Sequence, residues 1–363
     1  MARITIADLA RELGISKSAV SYALNSQPGV SAATRERVQE LARRHGWYPS
    51  SSARALSGAG PPAIGLVLSR PIDLLATEQY FMRFVSGVES VLVRADSSLL
   101  LRVVGDRLDH EIETYRRWWG ERRVAGVIVM DERFRDPRVQ TVARLGMPAV
   151  VLGGPLINGA SGGCAAPDAD ERPHPAPDLG RVTTMWTDHA ADVRVAVDHL
   201  LTLGHRRLLY IGGPKVFQHE RRRRRAISAL GGSDRVEWAR CLDTDYTLEG
   251  ADAVTREALG VSARARPTAV IFGSDLMATA GLRVAAELGV RIPGDLSVVA
   301  WDESPLCTIV SPTLTSLDRD VPGYGARAAT ALLSLVGGAA PAVLREPDCA
   351  IKVRQSSGPA PTG

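Results

Sequence analysis

The spacing of apolar residues divides this chain into a short helical beginning and a long alternating body. Over the first 48 residues, apolar side chains recur at intervals of three and four, which is typical of amphipathic helices. From Ala63 onwards, short continuous apolar runs alternate with stretches of helical spacing. Because strands that are buried on both faces lose the polar–apolar alternation, this rhythm predicts parallel sheets covered by helices.

The beginning of the chain predicts three short helices. Thr5 can cap the first helix, and Gly14 ends it. Ser16 can cap a second helix, and Ser31 can cap a third that runs to about His45. Two short helices joined by a tight turn that contains glycine are typical of a helix-turn-helix motif. We therefore predict an all-α helix-turn-helix head followed by an α/β body.

The second predicted helix has an outward face suited to DNA. Lys17 and Ser18 can contact base edges, and Tyr22 can contact a base or a thymine methyl group. Phosphate contacts position such a domain without reading its sequence. The candidates for these supporting DNA contacts are Thr5, Ser16, Ser21, Asn25 and Ser31.

The segment that follows predicts a conditional helix. Its serines can cap a turn or two, and its apolar surface comes from Ala53 and Leu56 on one face. A helix this short is not stable alone in water, so we expect it to fold on binding. A side chain such as Leu56 can insert between base pairs in the minor groove.

The patterns IADLARELGISKSAVSYALN, VSAATRERV and GWYPSSSARAL together resemble the DNA-binding head and hinge of the LacI–GalR family of bacterial repressors. The resemblance implies that the second helix reads the major groove, with Lys17, Ser18 and Tyr22 at the specificity positions. It also implies that the hinge helices of a dimer enter the minor groove of a pseudo-palindromic operator with a central CG step. Leu56 would then be the inserted side chain.

The residue pattern of the body predicts a regular alternation of strands and helices with one interruption. The predicted strands are 63–69, 98–104, 124–130, 148–153, 204–213, 268–272 and 296–301. The predicted helices are 79–95, 109–119, 137–145, 188–203, 220–230, 247–259 and 275–288, and VTTMW precedes the fourth of them. Residues 154–180 are rich in proline, glycine and alanine, and they are about 20 residues longer than the family pattern. We expect a mobile surface insertion there.

Two sets of strands and helices of similar size predict two lobes with a cleft between them. The body resembles the effector-binding core of the family, which is similar to periplasmic sugar-binding proteins. Ligands of open α/β sheets bind beyond the carboxyl ends of the strands. The expected domains are a head at 1–48, a hinge and linker at 49–62, and a core at 63–355, with a first lobe of about 63–153 plus 320–336 and a second lobe of about 181–318 plus the C-terminal segment.

Residues at the predicted strand ends offer the chemistry of a polyol site, because carboxylates and arginine bind hydroxyl groups and aromatic rings cover a sugar's apolar face. By resemblance, Arg221, Asp275 and Asp302 match family effector contacts most closely. Ser274 and Gly153 depart from the family pattern, since many members have Asn and some have Asp there. The full set of effector candidates is Ser69, Arg70, Tyr80, Phe81, Arg221, Ser274, Asp275, Trp301, Asp302 and Arg319.

Charge supports a polyanion-binding head on a neutral body. The chain has 44 basic and 40 acidic residues, and its first 58 residues hold eight of the basic and four of the acidic ones. The rest of the chain therefore holds 36 of each, and the excess positive charge lies in the head.

Three other sequence features imitate functional motifs or sites. GASGG at 159–163 fits a nucleophile elbow only in letters, since it lies in the insertion. The glycines at 323–325 imitate a dinucleotide fingerprint without a buried strand before them. Of the five arginines 221–225, only Arg221 matches an effector position, and we expect the other four to be mostly solvated.

The remaining observations bound the function. The histidines lack metal-binding spacing, no catalytic set is present, and we expect neither a cofactor nor a metal site. Apolar runs too short for a membrane span and the lack of a signal peptide predict a cytoplasmic protein without membrane contact. The C-terminus has no leucine heptad, which favours a homodimer over a tetramer. Two alternatives stay open: a sugar-binding protein without regulatory DNA contacts, and an α/β enzyme. Disulfides are not expected between the scattered cysteines Cys164, Cys241, Cys307 and Cys349.

Overall fold

The computed structural model describes residues 4–25, 27–47, 63–153 and 179–361. The predicted hinge contacts Ala53 and Leu56 lie outside the described residues. So do the motif at 159–163 and all of the predicted insertion except its last two residues.

The head consists of three helices whose ends follow the capping residues. These are α1 (Ile6–Leu13), α2 (Lys17–Leu24) and α3 (Ala32–Arg44). The Thr5 backbone N–H donates to the Asp8 carboxylate at 3.0 Å, and the Ser16 hydroxyl accepts from the Ala19 N–H at 3.1 Å. Gly14 ends α1 with a φ of 68°, a conformation that costs a glycine little. The predicted helix boundaries are confirmed.

A small apolar core holds the three helices together. Leu9, Val20 and Val38 come from different helices and are fully buried against one another. Because this core is complete within the head, the outward side chains of α2 are free for contacts with another molecule. A helix-turn-helix fold results, as the sequence predicts.

Within the described residues, the body forms two sheets of six strands each. The first sheet has the order β11-β5-β4-β3-β1-β2 and is wholly parallel. Its strands are β1 (Ala63–Leu68), β2 (Leu99–Val103), β3 (Val124–Val129), β4 (Ala149–Gly153), β5 (Val182–Trp186) and β11 (Val343–Arg345).

The second sheet has the order β12-β10-β9-β8-β6-β7, and only β12 is antiparallel to its neighbour. Its strands are β6 (Arg207–Gly212), β7 (Trp238–Asp243), β8 (Ala269–Phe272), β9 (Ser297–Ala300), β10 (Thr315–Asp318) and β12 (Ala350–Lys352). Separate apolar clusters cover the two faces of each sheet. This arrangement gives two α/β lobes.

Helices cover both sheets. They are α4 (Ile72–Thr77), α5 (Gln79–Leu92), α6 (Leu108–Gly120), α7 (Pro137–Arg144), α8 (His189–Thr202), α9 (Gln218–Ser228), α10 (Leu248–Leu259), α11 (Asp275–Glu287), α12 (Leu306–Ile309) and α13 (Val321–Val336). None of the helices in the described ranges is long and apolar enough to cross a membrane.

Glycines bring α5 and α13 into close contact on the first sheet. A Cβ at Gly87 would overlap the carbonyl oxygen of Pro322, and one at Gly325 would overlap that of Phe84. Gly323 and Gly325 thus lie at the start of a packed helix, and Gly325 allows the close approach of the two helix backbones. The prediction that no strand precedes them is wrong, because β10 ends two residues before α13 begins.

The chain passes between the lobes at 186–189, 318–321 and 345–350, which corrects the predicted lobe boundary. The predicted second lobe begins at about residue 181 and so includes β5, but β5 pairs with β4 and belongs to the first lobe. The C-terminal segment supplies one strand to each sheet. The core also continues to 361, since the Ala360 N–H donates to the Leu203 carbonyl at 2.8 Å. The sequence analysis missed β7, β10, β11, β12 and the short helices α4 and α12.

Candidate functional site

The outward face of α2 presents polar groups in its first turn and an aromatic ring about one turn later. Lys17, Ser18 and Tyr22 are exposed, while Val20 and Ala23 on the opposite face are buried. Helix geometry therefore separates a packing face from a contact face, as predicted.

The turn after α2 fixes the Tyr22 ring. The Gln27 N–H donates to the Tyr22 carbonyl at 2.9 Å, and Arg35 of α3 donates to the Gln27 carbonyl at 3.0 Å. Gly29 has a φ of 116°, and a Cβ there would lie 3.3 Å from the Tyr22 ring. The ring is thus backed by the turn and presented at the contact face.

The supporting DNA candidates lie around the helix ends. Thr5, Ser16 and Ser31 act as helix caps, which leaves their hydroxyl groups at the surface. Asn25 donates through its amide to the Ser21 hydroxyl at 3.4 Å. Helix N-termini carry unpaired N–H groups and a partial positive charge, which suits them to phosphates.

The second candidate site is a cavity of about 70 Å³ between the lobes, at the carboxyl ends of the strands. Five of the predicted effector residues line it: Arg70, Tyr80, Phe81, Asp302 and Arg319. The sequence analysis missed several polar lining residues, namely Glu78, Asp131, Glu132, Thr187, His189, His219, Arg223 and Tyr246.

Arg70 joins the two walls of the cleft. It donates through Nε to the Asp131 carboxylate at 2.9 Å within the first lobe. Its guanidinium also lies 4.2 Å from the ring centroid of Phe217, which belongs to the second lobe. Burial tends to raise the pKa of Asp131, but the charge of Arg70 outweighs it and lowers that pKa below its usual value. Asp131 is therefore ionised at neutral pH.

Two carboxyl groups face the cavity with an oxygen that lacks a hydrogen-bond partner among the described residues. They are Oε2 of Glu78 and Oδ1 of Asp302. Burial raises the pKa of Glu78 to about 8, with a partial opposing effect of Arg70. Burial also raises the pKa of Asp302, against the attraction of Arg319. Buried polar atoms are normally paired, so these two oxygens are suited to ligand hydroxyl groups.

The wall in the second lobe is held by a buried glutamate. Glu220 accepts hydrogen bonds from the hydroxyls of Tyr210 at 2.9 Å and Tyr246 at 2.6 Å. It also accepts one from Arg223 at 3.3 Å, and the Arg223 guanidinium stacks 4.0 Å from the Trp301 ring centroid. These contacts orient Arg223 and Tyr246 toward the cavity.

Two lining histidines are neutral. Burial lowers the pKa of His189 and of His219 to about 3. His219 Nε2 lies 2.9 Å from the Tyr246 hydroxyl, and its ring stacks on Phe217. A neutral imidazole ring has one nitrogen that donates a hydrogen bond and one that accepts a hydrogen bond. Both histidines can therefore pair with uncharged ligand groups.

Half of the predicted effector residues do not line the cavity, and each has another role. Ser274 caps α11 by accepting from the Met277 N–H at 3.2 Å, and Asp275 accepts from the Ser304 hydroxyl. Trp301 is fully buried beneath Arg223, and Ser69 is buried beside Arg133. The Arg221 guanidinium lies 4.7 Å from the Phe134 ring centroid.

The arginine run of α9 corrects the sequence analysis most clearly. Arg223 and Arg224 are 5% and 7% exposed, so the prediction that they are mostly solvated is wrong. Arg223 lines the cavity, whereas Arg221 does not. Glu220 and the carbonyl of Leu242 are the partners that make this burial tolerable.

Gly153 has a physical explanation in the cleft. A Cβ at this position would overlap the Glu132 carboxylate, which lines the cavity from the neighbouring strand end. The Glu132 carboxylate thus occupies the space that a side chain at position 153 would need. Ligand contacts are expected just beyond the carboxyl ends of parallel strands. This expectation, applied to β3, would have predicted both Asp131 and Glu132.

Main-chain bonds and apolar contacts close the cleft on one side. The Gln218 N–H donates to the Glu132 carbonyl at 2.9 Å, and Arg133 forms a β-bridge with Phe217. Leu74 of α4, from the first lobe, packs in the apolar cluster of the second. The lobes are therefore in contact through residues that also border the cavity.

Glu78 should make stability depend on pH in a defined direction. The unfolded chain releases this proton near pH 4.5, whereas the folded protein keeps it to about pH 8. The contribution of Glu78 to stability is therefore full below pH 4.5 and is lost as the pH rises to 8. The variant Glu78→Gln has no proton to lose at this position, so this decrease in stability is absent from it. The Tm of the variant minus that of the wild type should therefore rise steadily from pH 5 to pH 8.5.

Thermal unfolding at half-unit pH steps measures this difference. Glu287→Gln is the matched control, because Glu287 is exposed and hydrogen bonds from Arg256 lower its pKa. Its Tm difference should not grow over the same range. A flat difference for Glu78→Gln would contradict the raised pKa.

Among the described residues, no group of three or more His, Cys, Asp or Glu side chains is arranged to hold a metal ion.

Comparisons with known proteins agree with both parts of the structure. Residues 5–50 match the family model of bacterial regulatory proteins, lacI family, and residues 197–357 match that of a periplasmic binding protein-like domain. The HTH-type transcriptional regulator reg1 of Streptomyces lividans is 30% identical over 350 residues, which cover 92% of this chain and 90% of the relative.

Solved structures show the same architecture. A LacI family transcriptional regulator from Bifidobacterium animalis subsp. lactis has 30% identity and a TM-score of 0.68, with 82% of this chain and 98% of that chain covered. The complex of the transcriptional regulator CelR with cellobiose has 27% identity and a TM-score of 0.66, with 98% of this chain and 100% of that chain covered.

A helix-turn-helix head on a two-lobed α/β body defines a DNA-binding transcriptional regulator. This chain belongs to the lacI family of bacterial regulatory proteins. Its relatives are named as regulators and repressors of transcription.

Proposed function

We propose that this regulator is a repressor that binds a pseudo-palindromic operator as a homodimer, and that a small sugar bound between the lobes changes its operator affinity. The observation that carries the effector part is the cleft, where Glu78 and Asp302 face the cavity beside aromatic and arginine side chains. The similarity to CelR, which has been solved with cellobiose, supports a carbohydrate.

The lining residues suit a polyol. Asp302 accepts from ligand hydroxyls, and protonated Glu78 donates to a ligand oxygen. Arg70 and Arg319 donate to further oxygens, while Tyr80 and Phe81 offer ring surface to the C–H face of a sugar. The histidines are neutral and add single donors or acceptors. A neutral, hydroxyl-rich ligand therefore pairs with these groups more fully than an apolar one.

Cavity size implies that ligand exchange moves the lobes. Ligand sites commonly have volumes of roughly 300–1,000 Å³, whereas this cavity has about 70 Å³. A sugar needs a wider separation of the two walls, and the chain segments at 186–189, 318–321 and 345–350 are where that separation would bend the chain. A ligand that binds one lobe arrangement more tightly shifts the equilibrium toward it.

On the DNA side, we propose that Lys17, Ser18 and Tyr22 read base edges in the major groove. The supporting contacts to DNA would come from Thr5, Ser16, Ser21, Asn25 and Ser31. Ala53 and Leu56 of the hinge would enter the minor groove. The corresponding division is a head at 1–48, a hinge and linker at 49–62, and an effector core from 63 onwards.

A dimer explains the symmetry of the proposed operator, because a two-fold protein presents two identical heads to two half-sites. A regulator of this kind acts where bacterial DNA is, so we assign it to the cytoplasm. Sedimentation of the full chain, alone and with operator, measures the assembly directly.

Exchanging the two specificity residues should change the operator preference. We expect the double variant Lys17→Ser/Ser18→Lys to lose roughly 1–3 kcal/mol on the wild-type operator and to prefer a different base pair in each half-site. Fluorescence anisotropy on a library of CG-centred palindromes measures this preference. The control Arg37→Ser changes an exposed cation of α3, outside the contact face of α2.

A uniform loss on every duplex would show that Lys17 and Ser18 contact phosphates only. If the wild type binds no palindrome tightly yet is stabilised by a sugar, the alternative of a sugar-binding protein without regulatory DNA contacts is correct. Stabilisation by a panel of mono- and disaccharides that includes cellobiose provides the second readout.

A further inference from the structure

The first lobe carries a row of arginines at the edge where the chain arrives from the head. In a parallel sheet with crossover helices, the helix C-termini lie at the same edge as the strand N-termini. At this amino-terminal edge, an arginine stands at or after the helix end before each of β2, β3 and β4. We call the exposed residues Arg94, Arg117, Arg122 and Arg144 the arginine face.

The side chains of the arginine face have no hydrogen-bond or ion-pair partner among the described residues. Two further arginines at this edge do have partners: Arg123 lies 3.8 Å from Glu121, and Arg181 donates to the Leu335 carbonyl. The acidic residues nearest to these arginines in the sequence are Glu89, Asp96, Glu113 and Glu121. The edge therefore carries an excess of positive charge, although the body as a whole is neutral.

The second lobe provides an internal comparison. Arginines also stand at the amino-terminal edge of its sheet, and cations near helix C-termini are favourable in general. There, however, most guanidiniums are paired: Arg291 with Asp295 at 2.6 Å, Arg266 with the Leu259 carbonyl at 3.0 Å, and Arg207 with the Arg264 carbonyl at 3.0 Å. Partners within the lobe hold those arginines in place, whereas the guanidiniums of the arginine face make no such contacts.

The length of the linker puts DNA bound by the head within reach of this edge. Ala63, the first residue of β1, pairs with Val124, directly after Arg122 and Arg123. The segment 48–62 that joins it to the head spans at most about 50 Å even when fully extended. A duplex held by the head is thus within reach of the same edge, and it carries one negative charge per roughly 1.7 Å.

We propose that the arginine face contacts the phosphate backbone of the DNA to which the head is bound, and adds affinity that does not depend on sequence. This inference rests on operator binding by the head and extends the DNA contacts to the body. Phosphate contacts of this kind position a protein and contribute through counterion release.

The test compares full-length proteins on operator and on unrelated duplex over a range of salt concentrations. The variant Arg117→Gln/Arg122→Gln/Arg144→Gln leaves Arg94 in place, because the neighbouring Val93 is 75% exposed and available to a second subunit. We expect the slope of log K against log salt to become shallower by about 2, equivalent to one lost phosphate contact in each protomer. Affinity should fall several-fold on both duplexes, with the preference for operator unchanged.

The control Arg264→Gln changes an exposed arginine in the loop that precedes β8 of the second lobe, and its salt slope should equal that of the wild type. If the triple variant melts below the wild type, Arg117→Gln and Arg144→Gln are measured singly, and each should still make the slope shallower.

An unchanged slope overturns the proposal. A change in the mass of the assembled protein with unchanged DNA affinity also overturns the proposal, because the arginine face would then be an interface between subunits. If the wild type itself binds no operator, the proposed function fails rather than this extension of it.

Discussion

Replacing Arg138 with methionine is expected to lower the free energy of unfolding of the body by about 3–5 kcal/mol, the usual effect of removing one partner from a buried ion pair. Arg138 is 2% exposed and donates to Glu111 at 2.9 Å and to Asp136 at 2.6 Å. Glu111 is fully buried and also accepts from the Tyr115 hydroxyl. The variant leaves both carboxylates without their cation.

This cluster also supports the cleft. Arg138 donates to the carbonyl of Asp131 at 2.8 Å, and the Asp131 side chain holds Arg70 in the cavity wall. Asp131 has a φ of 51°, a conformation that a non-glycine residue keeps only when its surroundings hold it. Loss of Arg138 should therefore weaken sugar binding as well as stability.

Urea unfolding followed by circular dichroism measures the stability effect. The matched control is Arg283→Met, whose ion pairs with Asp252 and Glu287 are half-exposed and should contribute less than about 1 kcal/mol. Equal losses for the two variants would contradict the assignment of Arg138 as a buried structural cation.

Asp302→Ala is expected to weaken sugar binding by about 10- to 100-fold while operator binding without sugar stays near the wild-type level. This range corresponds to about 1.5–3 kcal/mol for a hydrogen bond to a charged group. Asp302 lines the cavity with an unpaired oxygen, and it lies in the second lobe, far along the chain from the head. The variant should therefore bind operator but no longer respond to the sugar.

Asp275→Ala is the sharpest control, because the sequence pattern favours Asp275 as an effector contact and the structure gives it another role. Its carboxylate accepts from the Ser304 hydroxyl and the Leu276 N–H and does not line the cavity. We expect lower stability and a sugar affinity within about threefold of the wild type, because these internal hydrogen bonds already occupy the Asp275 carboxylate. The measurement is calorimetric titration with the sugar that stabilises the wild type most. If Asp275→Ala abolishes binding and Asp302→Ala does not, the site is misassigned.

The arginines of α9 illustrate why the cleft was only partly predictable. Sequence spacing shows that Glu220 and Arg223 share one face of α9. It does not reveal that this face is buried against Tyr210 and Trp301. Glu220, Tyr210 and Trp301 come together only when β6, α9 and β9 pack, and their contacts make the burial of Arg223 tolerable. The same packing turns Arg221 toward Phe134 instead of the cavity.

Other cleft residues were within reach of sequence reasoning. Arg70 and Asp302 directly follow apolar strands, and the carboxyl ends of parallel strands meet at one edge. The same rule applied to β3 and β5 would have included Asp131 and Thr187. His219 and Tyr246 were beyond it, since they reach the cavity from a helix start and a turn.

The sequence by itself determined the head, the alternation of strands and helices, and the class of protein. These features rest on local physics: caps such as Thr5 and Ser16, the left-handed Gly14, and apolar spacing within single elements. Tertiary structure decided which sheet receives β5, how β11 and β12 are divided, and which polar groups meet in the cleft. Tertiary structure also decided that unpaired positive charges lie together at one edge of the first lobe, although the body as a whole is neutral. These outcomes depend on pairing between segments far apart in the chain, and spacing within a segment carries no information about that pairing.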